Sequence, residues 1–268
     1  MQFRGRSGNN LKALILAAGY GTRVYPLTMD LPKALLPVAG KPVINYLVEE
    51  IEQTGRVDDI FVVTNNKFFD QFEDWMQQLD VRMGIEILND GTDYNENRLG
   101  AIGDIALTIE KANLKDNLLV AASDNIFGFS FKKLCRFYEE QQTDCITVRV
   151  LEDVRKLRTT GVAELDDAFR VISFTEKPES PRSTLACPPV YIFRNDTLPL
   201  IGEYLRRGGN PDAPGFFIEW LVGQKPVHAF QFDEPRYNIG DLELYRAVCS
   251  VFEQNVAEPT SKGCVNHA

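Results

Sequence analysis

Three features of this chain are spaced to handle negative charge. The small residues Ala18-Gly19-Tyr20-Gly21-Thr22 follow the apolar run 13–17. Glycines there let the backbone take positive φ and leave bare N–H groups open to a ligand. Arg23 comes next, and Lys33 ten residues later in Pro32-Lys33-Ala34-Leu35-Leu36-Pro37. A strip of amides with two cations beside it suits a polyphosphate. The third feature is Asp124, among small residues at the end of the apolar run 117–122. A carboxylate at a strand tip is placed to hold a divalent metal over phosphates.

Two common phosphate loops are excluded. A dinucleotide fingerprint needs glycine three residues after Gly21, where Val24 stands; a P-loop needs Gly-Lys-Ser/Thr, but Gly40-Lys41 is followed by Pro42.

The elements that must position these groups follow from periodicity. Residues 13–17, 59–64 and 84–88 read as buried strands, with helices over 43–51 and from Phe68 to Leu79, the second capped by Asn66. That order is βαβαβ, the pattern of a doubly wound, mainly parallel sheet with right-handed crossovers. The polar loop 89–99 follows the carboxyl end of a strand, where open α/β sheets bind ligands. It enters a helix opening on Gly100 and Gly103; two such glycines cost about 1 kcal/mol each relative to alanine. Either the approach of a flat ring or a tight helix contact accounts for them. Residues 131–141 read as a helix and 145–150 as a strand. Residues 161–165 and 169–174 form a hairpin leading into Glu176-Lys177, and 185–193 is a further strand. Helices over 196–206 and 216–221, a strand over 227–232 and a helix over 244–252 complete the chain. Residues 1–10 read as a flexible lead-in and 253–268 as a disordered tail.

The chain of 268 residues carries a net charge of −9, which argues against nucleic acid or an anionic membrane as partner. It still permits a small basic pocket for nucleotides. Five scattered cysteines and two histidines make a zinc site a poor fit. No signal core or bilayer-length apolar run is present, so a reducing, cytoplasmic setting is expected.

Residues 16–23, Tyr25-Pro26-Leu27-Thr28, residues 32–38 and Gly40-Lys41-Pro42 together resemble the sugar-1-phosphate nucleotidylyltransferases of the glucose-1-phosphate thymidylyltransferase type. Further matches carry the resemblance from Leu11 to Phe252. It implies a Rossmann-like nucleotidyltransferase fold with a small β-rich sugar-binding part. A single domain over 11–252 would divide into a nucleotide-binding half, 11–150, and a sugar-binding half, 151–252. The implied reaction joins a nucleoside triphosphate to a sugar-1-phosphate and releases pyrophosphate, with Mg²⁺.

The resemblance implies these roles. Leu16, Ala17, Ala18, Gly19, Gly21 and Thr22 cradle the nucleotide, and Asp90 and Gly100 face its base. Arg23 and Lys33 neutralise the phosphates. Asp124 carries the metal with Asn238 as second ligand. Asn125, Gly161, Glu176 and Lys177 meet the sugar phosphate. Family members are often oligomeric, which leaves a homo-oligomer open. Ser123, Pro189, Asn238 and Asp241 depart from the family's pattern. They leave two alternatives open: a nucleotide-binding scaffold that has lost catalysis, or an unusual acceptor such as a cyclitol phosphate.

Overall fold

A computed structural model describes residues 11–257. The flexible lead-in expected over 1–10 and the tail expected over 258–268 lie outside the described residues. β1 (Leu11–Leu16) is followed by 3-10 turns at Thr22–Val24 and Lys33–Leu35 and a short ribbon, β2 (Pro37–Val38) and β3 (Lys41–Pro42). Then come α1 (Val43–Thr54), β4 (Val57–Thr64), α2 (Phe69–Gln77), β5 (Gly84–Asn89), α3 (Ala101–Lys111), β6 (Asn117–Ala122) and β7 (Asn125–Phe127). The chain continues through α4 (Phe131–Gln141), β8 (Asp144–Val150), α5 (Val154–Leu157), β9 (Gly161–Leu165), β10 (Val171–Glu176), β11 (Leu185–Cys187) and β12 (Val190–Phe193). It ends with α6 (Leu198–Arg206), α7 (Pro214–Val222), β13 (Val227–Gln231), β14 (Arg236–Asn238) and α8 (Leu242–Ala257).

The main sheet has the order β10-β9-β11-β8-β12-β6-β1-β4-β5, with β13 on the far edge of β8. β6, β1, β4 and β5 are parallel. β12 is antiparallel to both β6 and β8, so β8 and β13 point the same way as β6. Apolar side chains cover both faces, as a parallel sheet requires. One face takes Ile44 and Leu47 of α1, Phe72 and Trp75 of α2 and Phe131 and Leu134 of α4. The other takes Ile102 and Ile105 of α3, Leu198 and Ile201 of α6 and Phe217 and Ile218 of α7. This is the expected doubly wound α/β architecture.

Register decides where ligands can sit. Leu16 pairs with Val63 on one side and Ala122 on the other, so three parallel strands end flush. The loops after β1, β4 and β6 therefore share one rim.

Three boundaries differ from the sequence reading. Asn65, not Asn66, caps the turn after β4, its side chain accepting from the Phe68 N–H at 3.2 Å. The run 185–193 is two strands: Ala186 faces Arg149, whereas Tyr191 faces Ile146, a two-residue shift across Pro188-Pro189. Neither proline has an N–H for the ladder. Their carbonyls still accept, from the Val190 N–H at 2.8 Å and the Ala122 N–H at 3.1 Å. Finally, α8 continues to Ala257, so 253–257 is helix where tail was expected.

Candidate active site

The loop after β1 is held by its neighbours. Ser123 N–H donates to the Leu16 carbonyl at 3.1 Å, Ala17 N–H to Val63 at 2.9 Å, and the Asn65 amide to the Ala18 carbonyl at 2.9 Å. Gly19 is exposed, with open space where a Cβ would stand. Gly21 takes φ +66°, and its carbonyl accepts from the Thr28 hydroxyl at 2.7 Å. That conformation costs an L side chain energy and lets the chain reverse into the Thr22–Val24 turn. Thr22 and Arg23 stand exposed on this turn, and Arg23 has no ion pair among the described residues.

Lys33 turns inward. Its ammonium donates to Asp124 Oδ2 at 2.5 Å, while the buried Asn125 amide donates to Asp124 Oδ1 at 2.6 Å. Burial pushes the Asp124 carboxyl up, but the Lys33 charge and hydrogen bond, with Arg236 beyond them, outweigh it and hold the group below its ordinary value. Arg236 Nε donates to Asn125 Oδ1 at 2.8 Å. Asn238 lies opposite Asn125 across the β7–β14 pair, and its carbonyl oxygen is buried without a partner. One carboxylate plus one orphaned neutral oxygen suits a hard divalent ion that takes its remaining ligands from phosphates and water. Among the described residues, no cluster of three His, Cys, Asp or Glu side chains could enclose a metal by itself.

Asp90 is held by its own loop. Its carboxylate accepts from the Thr92 N–H at 2.7 Å and the Thr92 hydroxyl at 2.8 Å, and Thr92 in turn meets the Tyr20 hydroxyl at 3.0 Å. Asp90 thus braces the loop from beneath. At Gly100 the close approach is to backbone rather than to an open pocket: an added Cβ would lie 2.4 Å from the Pro211 carbonyl oxygen. The Pro211 and Asp212 carbonyls accept from the Ile102 and Ala101 N–H groups at 3.0 and 3.2 Å, serving as the cap of α3.

At the end of the β9–β10 hairpin, Glu176 is wedged between two glycines. A Cβ on Gly215 would lie 1.8 Å from Glu176 Oε2, and one on Gly161 2.9 Å from it. Burial, against the pull of Lys177, pushes Glu176 up to about 7. Lys177 is exposed at φ +51°, 3.7 Å from Asp212 Oδ2. Asp212 also accepts from Arg98 at 2.8 Å, linking the loop after β5 to the hairpin. Arg98, Asp212 and Arg236 were missed as site residues in the sequence reading. Arg236 had a signal: it sits two residues before Asn238, a residue already assigned to the site.

One acid beside this rim has no visible use. Asp104 is 6% exposed, with Oδ1 unpartnered, and burial plus the Asp90 charge push it up to about 8. The folded state therefore keeps a proton that the unfolded chain loses above its ordinary value, and stability falls as pH rises from there towards 8. Asp104→Ala should stabilise the protein at pH 9, by up to about 5 kcal/mol, with the gain vanishing near pH 4. Urea titrations across that range check the prediction.

Comparison with known proteins agrees with this fold. The sequence profile of the family described as Nucleotidyl transferase matches residues 12–233. The glucose-1-phosphate thymidylyltransferase of Neisseria meningitidis is 31% identical over 193 residues, covering 69% of this chain and 62% of that protein. The UTP–glucose-1-phosphate uridylyltransferase of Synechocystis sp. is 27% identical over 259 residues, covering 92% of this chain and 64% of that protein. The chain thus spans a little under two thirds of the length of these relatives. A solved UDP-glucose pyrophosphorylase in complex with UDP-glucose superposes with a TM-score of 0.78 at 22% identity, covering 92% of this chain and 99% of that one. Matched over most of its length, the chain belongs to the nucleotidyl transferase family.

Proposed function

We propose that this protein joins a nucleoside triphosphate to a sugar-1-phosphate, giving a nucleoside-diphosphate sugar and pyrophosphate. The observation that carries this reading is the contact chain Lys33–Asp124–Asn125–Arg236, at the rim shared with the β1 loop and its exposed Gly19. An acceptor phosphate oxygen attacks the α-phosphorus, and the bond to pyrophosphate breaks in line. The attacking oxygen is already ionised, so no general base is needed. Catalysis is then positioning plus charge stabilisation. Two unit negative charges 4 Å apart repel by about 4 kcal/mol at an effective dielectric of 20, and flanking cations reverse that sign.

In this reading residues 11–150 hold the nucleotide and 151–252 the acceptor. Gly19, Gly21 and Thr22 cradle the triphosphate, Arg23 meets the leaving pyrophosphate and Lys33 the α-phosphate. Glu176 and Lys177 orient the acceptor with Asn125 and Gly161. Asp124 and Asn238 would hold Mg²⁺, which when bound screens the phosphate charge. A cytoplasmic location suits such substrates, and no helix among the described residues is long and apolar enough to cross a membrane.

Pyrophosphate release, measured for UTP, dTTP, GTP and CTP against a panel of sugar-1-phosphates and cyclitol phosphates, tests this. Turnover with at least one pair is the expected result. Nucleotide binding without turnover on any pair would instead point to a scaffold.

A further inference from the structure

Around Asp124 the charges do not balance. Lys33 and, through Asn125, Arg236 share this one carboxylate. A third cation is within electrostatic reach: burial first, and then the Arg149 charge, push the Arg236 guanidinium down against the pull of Asp124. Arg149 is the penultimate residue of β8, which points the same way as β6, so its place is at the rim where Asp124 follows β6. Its guanidinium lies 5.9 Å from the Phe232 ring, its Nε is buried with no hydrogen-bond partner, and it has no ion pair among the described residues. Of the Arg236 donors, Nε is engaged by Asn125. Two neighbouring guanidinium groups with unused donors are an unfavourable arrangement until an anion joins them, and their planar forks match the paired oxygens of a phosphate or carboxylate.

We propose that Arg149 and Arg236 form an oxyanion subsite for the acceptor, distinct from the cations of the β1 loop. The subsite rests on the nucleotidyl-transfer reading only for the word acceptor; the anion it takes is either the reacting phosphate or a second acidic group on the same molecule. This explains why an arginine occupies position 236, where an aromatic side chain would leave Asn125 without its donor.

The test is calorimetric titration of the intact protein with glucose 1-phosphate, glucuronic acid 1-phosphate and glucose 1,6-bisphosphate. Each is measured alone and with the triphosphate that gives the largest thermal shift. Arg149→Met and Arg236→Gln should each weaken acceptor binding at least tenfold while changing the triphosphate Kd less than threefold. A wild-type preference of tenfold or more for the doubly acidic sugars, lost in both variants, identifies a second acidic group. Equal tenfold losses for all three identify the reacting phosphate. Circular dichroism checks folding, and Arg149→Lys and Arg236→Lys, which keep the charge without the fork, should bind between wild type and the neutral variants. Wild-type affinity in both neutral variants, equal weakening of triphosphate and acceptor, or no binding of any probe to wild type overturns the proposal. Arginine-dependent binding without pyrophosphate release from any triphosphate would leave the subsite standing and remove the nucleotidyl-transfer reading.

Discussion

Lys33→Ala is expected to lower kcat/KM for pyrophosphate release at least a thousandfold while the protein still folds. The ammonium sits on a half-buried carboxylate at the shared rim, where a positive charge aimed at transferring phosphate is worth about three or more powers of ten in rate. In the free protein Asp124 occupies it; on binding, the lysine can pass from carboxylate to phosphate without leaving the rim. Removing it also has a signature in stability. Asp124 is held below its ordinary value in the fold, so the pair stabilises at neutral pH and that contribution is lost as pH falls through the folded value. The variant lacks it from the start. Its deficit, below the about 3–5 kcal/mol of a fully buried pair because Asn125 and Arg236 remain, should close on acidification. Steady-state kinetics and urea titrations between pH 3 and 7 read both effects, and a variant with near-native turnover would remove Lys33 from the chemistry.

Gly100→Ala should damage the fold more than any exposed substitution near the rim. Gly100 has φ +78° and ψ 160°, a region essentially reserved for glycine, which costs other residues about 1–3 kcal/mol. The new Cβ would also lie 2.4 Å from the Pro211 carbonyl oxygen and 3.0 Å from Asp212 Cα, both main-chain atoms that cannot swing aside. A loss of about 3 kcal/mol or more follows, lowering Tm by roughly 6–12 °C for a domain of this size. Gly208→Ala provides the control, since it shares positive φ but meets nothing within 4 Å. Differential scanning calorimetry of the pair separates packing from backbone strain; equal melting temperatures would show that the α3–211 contact is slack.

These two sites show what was legible in the residues alone. The apolar period placed β1, β6 and α4 closely, because each is a long, uninterrupted pattern between clear breakers. The residues direct Lys33 and Asp124 to one phosphate site, as cation and metal ligand, but their direct contact is not readable there. Gly100 could be flagged but not explained, since its neighbour lies over a hundred positions away at Pro211. The inward turn of Asp90 depends on a local Asx-type competition with Thr92 that the loop's polarity does not reveal. The run 185–193 reads as one strand because its apolar residues continue across Pro188-Pro189, where the missing N–H groups split it into two. Arg149 was invisible: within Cys145-Ile146-Thr147-Val148-Arg149-Val150 it reads as an ordinary polar end to a strand.

The last helix has a consequence for the order in which competence arises. Val248 of α8 packs with Val24 and Leu36 beside the β1 loop, the Tyr245 hydroxyl donates to the Pro37 carbonyl at 2.7 Å, and Phe252 meets Tyr46 and Tyr237 edge-on. The loop at the start of the chain is therefore clamped by a segment that leaves the ribosome more than two hundred residues later. A nascent chain can complete its sheet while its first loop stays unclamped, so the β1 loop gains its last support only as synthesis passes α8.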